Sequence, residues 1–269
     1  MMYFPDNLLK YSEGDLAKLF IEKTMEKIRK FTKVDAVIVG AGPAGLTAAW
    51  FLALNKLNVL VLEKNLGIGG GIRGGAMLLP IALIEEGEAV EIARSAGIRL
   101  YSGLNGVYVA DPTEAMIKIA TKALEAGASI WPGVYVEDLV TSGRGDELRV
   151  RGVLVNWTPI IEAEWHVDPL FIEAKAVIDA TGHEGSVIRL LVKRHPELKL
   201  KVPGMSSGNV WVAEREVVEK TGMVVPGLYV AGMSVAELYN LNRMGPILGG
   251  MLVSGRKVAM QIIDDLGKR

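Results

Sequence analysis

Val34-Asp35-Ala36-Val37-Ile38-Val39-Gly40-Ala41-Gly42-Pro43-Ala44-Gly45 is the stretch whose reading decides the fold. Its first six residues are apolar apart from Asp35, as in a strand buried on both faces, and the next six spell Gly-x-Gly-x-x-Gly. Leu46 to Asn55 then reads as a helix, and Val59 to Leu62 as a second strand ended by Glu63. Strand, glycine turn, helix, strand and acid form the context that a dinucleotide-binding βαβ unit requires. Gly40, Gly42 and Gly45 allow a tight turn and close backbone approach. The helix N-terminus faces a pyrophosphate, and Glu63 accepts from a ribose hydroxyl.

Two distant segments support this reading, Asp179-Ala180-Thr181-Gly182 and Gly227-Leu228-Tyr229-Val230-Ala231-Gly232-Met233. After Glu63 comes Gly67-Ile68-Gly69-Gly70-Gly71-Ile72-Arg73-Gly74-Gly75, whose backbone can approach a ligand closely because few side chains intervene. The expected fold class is therefore α/β, a Rossmann-like dinucleotide-binding fold, with residues 1–269 as a single domain. Residues 1–32 are expected as an N-terminal helical extension and 133–166 as an inserted antiparallel β-meander.

Around this frame, Ala17, Phe20, Ile21, Thr24, Ile28 and Phe31 share one helical face over residues 15–31. Residues 81–96 read as helical, and Pro112 to Ala126 as a helix closed by Gly127. Ser129 to Trp131 is expected as a core strand. Val134 to Val140, Leu148 to Asn156 and Pro159 to Trp165 alternate about a Ser142-Gly143-Arg144-Gly145 turn, as a meander would. Ala176 to Ile178 returns to the main sheet, Gly227 to Ala231 is its last strand, and Gly249 to Leu266 is a closing helix. Met77, Met116 and Met260 are expected in the core.

Composition narrows the function. With 30 basic against 31 acidic residues and a net charge of −1, the chain offers no surface for a polyanion, so nucleic acid is not an expected partner. Ala36 to Leu54 carries no charge, yet the Gly/Pro turn divides it into strand and helix, so no membrane span is expected. The first residues lack a basic region followed by an apolar core, which makes the cytoplasm the expected compartment. The 269 residues include no cysteine, which excludes disulfides, thiolate metal sites and a cysteine nucleophile.

Of the three histidines, His195 lies within Lys193-Arg194-His195-Pro196-Glu197 and reads as a structural surface residue. His183 follows the second nucleotide-associated strand, where a loop at the carboxyl edge carries ligand-facing side chains. His166 and Asp168 are two apart, so in an extended segment they project to the same side, and Pro169 stops the strand beyond them. His166 either faces the active site or orients Asp168. Arg243, between Asn242 and Met244-Gly245-Pro246, reads as a ligand contact or as a helix-terminal salt bridge.

The order of glycine turn, Glu63-Lys64, triple glycine, Ala-Thr-Gly and Gly-Leu-Tyr-Val-Ala-Gly-Met is shared with flavoproteins of the glutathione-reductase type. Four further segments are Val155-Asn156-Trp157-Thr158, His166-Val167-Asp168-Pro169, Thr181-Gly182-His183-Glu184-Gly185 and Leu241-Asn242-Arg243-Met244-Gly245-Pro246. Together they resemble the thiamine thiazole synthase family, over about residues 15 to 265. The resemblance implies an enzyme of thiamine biosynthesis that uses NAD as a substrate, releases nicotinamide, and condenses the ADP-ribose part with glycine and sulfur into an ADP-thiazole. Eukaryotic members take the sulfur from a cysteine of their own, at the position of His166 here. Archaeal members that carry histidine there use free sulfide, the type this chain resembles.

The resemblance also implies Fe(II) held by Asp168 and His183, with Asp168 reaching from a neighbouring protomer of a homo-oligomer such as an octamer. Dinucleotide contacts are implied near Ala44, Glu63, Lys64, Gly71, Val136, His166, Val167, Asp168 and Met233. Arg243 is implied as the clamp on glycine's carboxylate, for which a guanidinium has matched paired donors. His166, Asp168 and His183 form the implied catalytic set; His166 or a nearby acid such as Glu164 would move protons. Arg73 stands where archaeal relatives usually carry tryptophan. Three other readings remain open on the sequence: an FAD-dependent oxidoreductase, which the nucleotide segments alone favour, a sugar-phosphate isomerase, and a non-catalytic nucleotide-binding or metal-responsive protein.

Overall fold

The computed structural model describes residues 8 and 10–267. The part of the expected N-terminal extension formed by residues 1–7 and 9 lies outside them. Two units separate at Lys33/Val34. In the first, the amphipathic stretch folds as α1 (Glu13–Arg29). The Ser12 hydroxyl accepts from the Asp15 N–H while the Asp15 carboxylate accepts from the Ser12 N–H, satisfying donors that a helix start leaves open.

The second unit begins with the βαβ motif: β1 (Lys33–Val39), α2 (Pro43–Leu54) and β2 (Val59–Glu63). β1 and β2 pair in parallel from Ala36/Val59 to Val39/Leu62, as a crossover through α2 allows. Every residue of β2 is buried, and α2 is buried on nearly all sides, so both read as continuous apolar runs.

Residues 81–96 depart from the expected helix. They form β3 (Ala82–Glu85) and then α3 (Glu88–Ala96), because Gly87 at φ 117° breaks the chain direction between them. β3 joins β4 (Tyr101–Ser102) and β5 (Val107–Ala110) in a small antiparallel sheet of order β3-β5-β4. α4 (Pro112–Glu125), capped by the Asp111 side chain, leads into β6 (Ser129–Pro132). The expected core strand is an edge strand: among the described residues β6 pairs only with β2, and it is half-exposed.

β7 (Val134–Ser142) and β8 (Arg149–Trp157) form the expected hairpin. Pro159 to Trp165 is not its third strand. Pro159 opens the short helix α5 (Thr158–Glu162), since a proline lacks a ladder donor but suits a first helical turn. β9 (Leu170–Asp179) takes that place, pairing antiparallel with β8 at its start and parallel with β11 at its end. α6 (Ser186–Arg194), α7 (Val210–Lys220), β10 (Gly222–Val225), β11 (Leu228–Val230), α8 (Met233–Tyr239) and α9 (Gly249–Gly267) complete the chain.

The main sheet runs β10-β11-β9-β1-β2-β6, with the β7–β8 hairpin attached through β9. α2 packs against both α4 and α9, and its buried Leu46 and Leu52 join Ile38, Leu60 and Ile178 in the core. Met116 is buried as expected, but Met77 is 93% and Met260 44% exposed. Met77 sits on a loop with a positive φ, outside any helix or strand that could bury it. Among the described residues no helix is long and apolar enough to cross a membrane.

Candidate active site

A cavity of about 730 Å³ opens where the carboxyl ends of β1, β2 and β9 meet. Chain direction explains the place: parallel strands deliver their loops to one edge, and the crossovers leave a crevice there. Gly40 (φ 104°) turns the chain out of β1 so tightly that a Cβ on it would lie 2.5 Å from the Ala180 oxygen. A Cβ on Gly45 would lie 2.1 Å from the Gly40 oxygen, so this third glycine lets α2 start directly against the turn. It packs the helix and does not line the cavity, whereas Gly40, Gly42 and Ala44 do. Gly42 caps α2 without a side-chain acceptor and Pro43 follows, leaving the first helical N–H groups directed at the cavity.

Glu63 has work inside the protein. One oxygen accepts from the Ala41 N–H at 2.9 Å, the other from the N–H and side chain of Asn65 at 2.9 and 2.8 Å. A carboxylate has about four acceptor positions, so capacity remains for a ribose hydroxyl. The glycine-rich loop folds over the turn through the Gly69 N–H to the Ala41 oxygen, 2.7 Å, bringing Gly71 and Arg73 to the wall. Lys64 at the rim pairs with Glu184.

The Ala-Thr-Gly segment is fixed by an acid that sequence reasoning quoted without a role. Asp179, fully buried, accepts from the Thr181 N–H and hydroxyl, the Ile188 N–H and the Ser234 hydroxyl. Thr181 in turn accepts from the Ser186 N–H, and Ser234 from the Gly182 N–H. These bonds tie the ends of β9, α6 and α8 together and set the turn Gly182–Glu184, which presents His183 to the cavity. An acid closing the apolar run Ala176-Val177-Ile178 was the available signal.

Ser254 of α9 accepts from the Gly232 N–H at 2.8 Å, placing Met233 on the wall. Val136 of β7 also lines it. Arg243 enters from the segment between α8 and α9, whose backbone bonds to Ser207 and Asn209. Among the described residues its guanidinium has no carboxylate partner, so the salt-bridge alternative has no counterpart.

His166, Val167 and Asp168 lie outside the cavity, on an exposed segment anchored by the Asn156 side chain donating to the Val167 oxygen at 2.9 Å. The side chains of His166 and Asp168 have no partner among the described residues. Asp168 and His183 therefore belong to different surroundings, and no group of three His, Cys, Asp or Glu forms a metal cluster among the described residues. His195 bonds to Glu197 at 3.0 Å, away from the cavity.

The parallel βαβ core and the cleft at its strand ends define a Rossmann-like fold of the dinucleotide-binding class. The model of the Thi4 family matches residues 17–248, and the chain belongs to that family. The thiamine thiazole synthase of Sulfolobus acidocaldarius is 49% identical over 212 residues, 79% of each chain. That of Saccharolobus solfataricus is 48% identical, covering 79% of this chain and 78% of the relative. The crystal structure of Thermovibrio ammonificans THI4 superposes with a TM-score of 0.91 at 39% identity, covering 96% of this chain and 99% of that one.

Proposed function

We propose that the chain is a thiamine thiazole synthase that forms ADP-thiazole from NAD, glycine and free sulfide, releases nicotinamide and depends on Fe(II). The observation that carries this reading is one cavity joining the glycine turn, Glu63, His183 and Arg243 in a Thi4-family chain. The turn and the α2 N-terminus hold the pyrophosphate, Glu63 takes a ribose hydroxyl, and Arg243 takes the carboxylate of glycine. His166 or a nearby acid such as Glu164, brought to the cavity by a second copy, moves protons during imine formation and ring opening. With no cysteine in the chain, sulfur comes from outside.

We assign the Fe(II) ligands, as membership of the family implies, to His183 and to Asp168 of a second copy; within one copy His183 lines the cavity and Asp168 lies outside it. When bound, the ion supplies Lewis-acid polarisation and open positions for sulfide. Support for a homo-oligomer comes from the apolar residues around Asp168. Trp165, Leu170 and Phe171 are 67, 46 and 63% exposed, large apolar side chains gathered in the short stretch around Asp168 that a second copy would cover.

Incubation of the purified protein with NAD, glycine, Fe(II) and sulfide under anaerobic conditions is the test. Repeated turnovers with an unchanged polypeptide mass are expected. A single turnover that removes sulfur from the polypeptide would overturn the external-sulfide reading.

A further inference from the structure

Behind the Arg243 segment two acids meet that the proposed chemistry does not use. Glu85 ends β3, and Glu214 lies on α7, only 6% exposed. The Glu85 carboxyl lies on Gly249, where an added Cβ would meet its oxygens at 2.0 and 2.1 Å. Glu214 Oε2 accepts from the Gly250 N–H. Both acids thus converge on two consecutive residues, Gly249 and Gly250, at the start of α9, which sets the two carboxyls side by side. As two carboxylates they would leave Glu85 Oε2 and Glu214 Oε1 buried with no donor. One proton between them supplies it.

Among the described residues no cation offsets the pair. On α9, Arg256 is paired with Glu88 of α3 at 3.1 Å, and Lys257 donates to the Val218 and Glu219 carbonyls of α7. Arg215 of α7 reaches Glu219 at 3.8 Å, and Arg94 of α3 lies over the Tyr108 ring. Glu86, Glu91 and Glu216 add only negative charge. Burial, with the Glu85 charge next, pushes the Glu214 carboxyl up to about 8, and burial raises Glu85 as well.

The three elements that this pair joins are those that frame Arg243. β3 holds the following residues through the Leu83 N–H to Pro246 oxygen (3.1 Å) and the Leu248 N–H to Leu83 oxygen (2.8 Å). The lead-in to α7 holds Arg243 itself, by the Arg243 N–H to Ser207 oxygen (3.2 Å) and the Asn209 N–H to Arg243 oxygen (3.1 Å). α9 begins at Gly249, directly after the segment. We propose that Glu85 and Glu214 are a positioning pair sharing one proton, which clasps β3, α7 and α9 and so holds the Arg243–Leu248 segment in place for glycine binding. The proposal rests on the reading of Arg243 as the contact for glycine's carboxylate.

When the shared proton leaves to solvent, two adjacent buried carboxylates repel and the frame opens. The experiment compares wild type with Glu214→Gln between about pH 6 and pH 10, since an amide keeps a donor for Glu85 and an acceptor for Gly250 but cannot ionise. Glu85→Gln is the second variant, should the first fold poorly. In wild type the KM for glycine should rise up to about tenfold per pH unit above about 8, with NAD affinity unchanged. Hydrogen-exchange protection of the Arg243 and Leu248 amides, corrected for the intrinsic pH dependence of exchange, should fall in parallel. Both responses should be absent from the variants. Exchange protection that is flat in wild type, or that falls equally in both variants, would overturn the clasp. Lost protection with an unchanged glycine KM would instead support the clasp and overturn the role of Arg243.

Discussion

The glycine-turn end of the cavity and the Trp165–Leu170 segment differ in how far one chain completes them. At the first, Glu63 and Asp179 accept from several backbone and side-chain donors, and the turn, α2 and the ends of β2 and β9 are fixed against one another. In the second, a histidine and an aspartate are exposed and without partners among the described residues, flanked by exposed aromatic and aliphatic side chains. A site that binds with backbone atoms can be finished by the elements that carry it. One that needs side chains from two directions can require a second surface.

The largest effect expected from this contrast comes from mixing two dead enzymes. His183→Ala and Asp168→Ala should each cost about 4 kcal/mol of barrier or more, at least about a thousandfold in thiazole formation, while NAD still binds. Mixing and reassembling the two variants should restore activity at sites that take His183 from one copy and Asp168 from another. If the mixture stays inactive while each variant remains an oligomer, the shared site is wrong. Full activity of either variant with iron under anaerobic conditions would remove both residues from the site.

Arg243 separates the two regions more finely. Arg243→Ala should leave NAD affinity within about twofold and lower glycine incorporation about a hundredfold, the scale of a charge-assisted contact of about 3 kcal/mol. Arg243→Lys should recover little, because an ammonium does not reproduce the paired donors. Parallel loss of NAD and glycine binding would place Arg243 on the nucleotide.

The smallest expected effect is on stability. Gly45→Ala puts a Cβ against the Gly40 oxygen and should cost about 1–3 kcal/mol in denaturant unfolding, together with weaker NAD binding. Trp165→Ala should leave unfolding of the separated subunit within about 0.5 kcal/mol and weaken self-association in sedimentation. An unchanged oligomer in Trp165→Ala would remove the reason for treating the exposed segment as an interface.

Local patterns carried most of the nucleotide half. Gly40 to Gly45, Glu63 and the Asp179–Gly182 segment were legible because each has a fixed spacing along one strand-turn-helix unit, and short-range sterics decide its conformation. The misreadings lie where long-range pairing overrode local pattern. Ala82 to Glu85 is a strand because β5 and the backbone at Pro246–Leu248 offer it partners. Pro159 to Trp165 lost its place in the meander to β9, whose start alternates in a way that the sequence showed only as a return to the main sheet. Glu85 and Glu214 are 129 residues apart and carry no motif, so nothing short of the folded chain relates them.

By itself the sequence determined the α/β class, the dinucleotide turn with its acid, and the impossibility of a cysteine sulfur donor. Those depend on residue identity and near-neighbour geometry alone. Tertiary structure decided that Glu63 also braces the turn, that His183 and Arg243 face one cavity while Asp168 does not, and that two distant acids meet behind Arg243. The physical reason is that these relations are set by which strand ends converge and which helices pack between them, and a chain acquires such contacts only when its core closes.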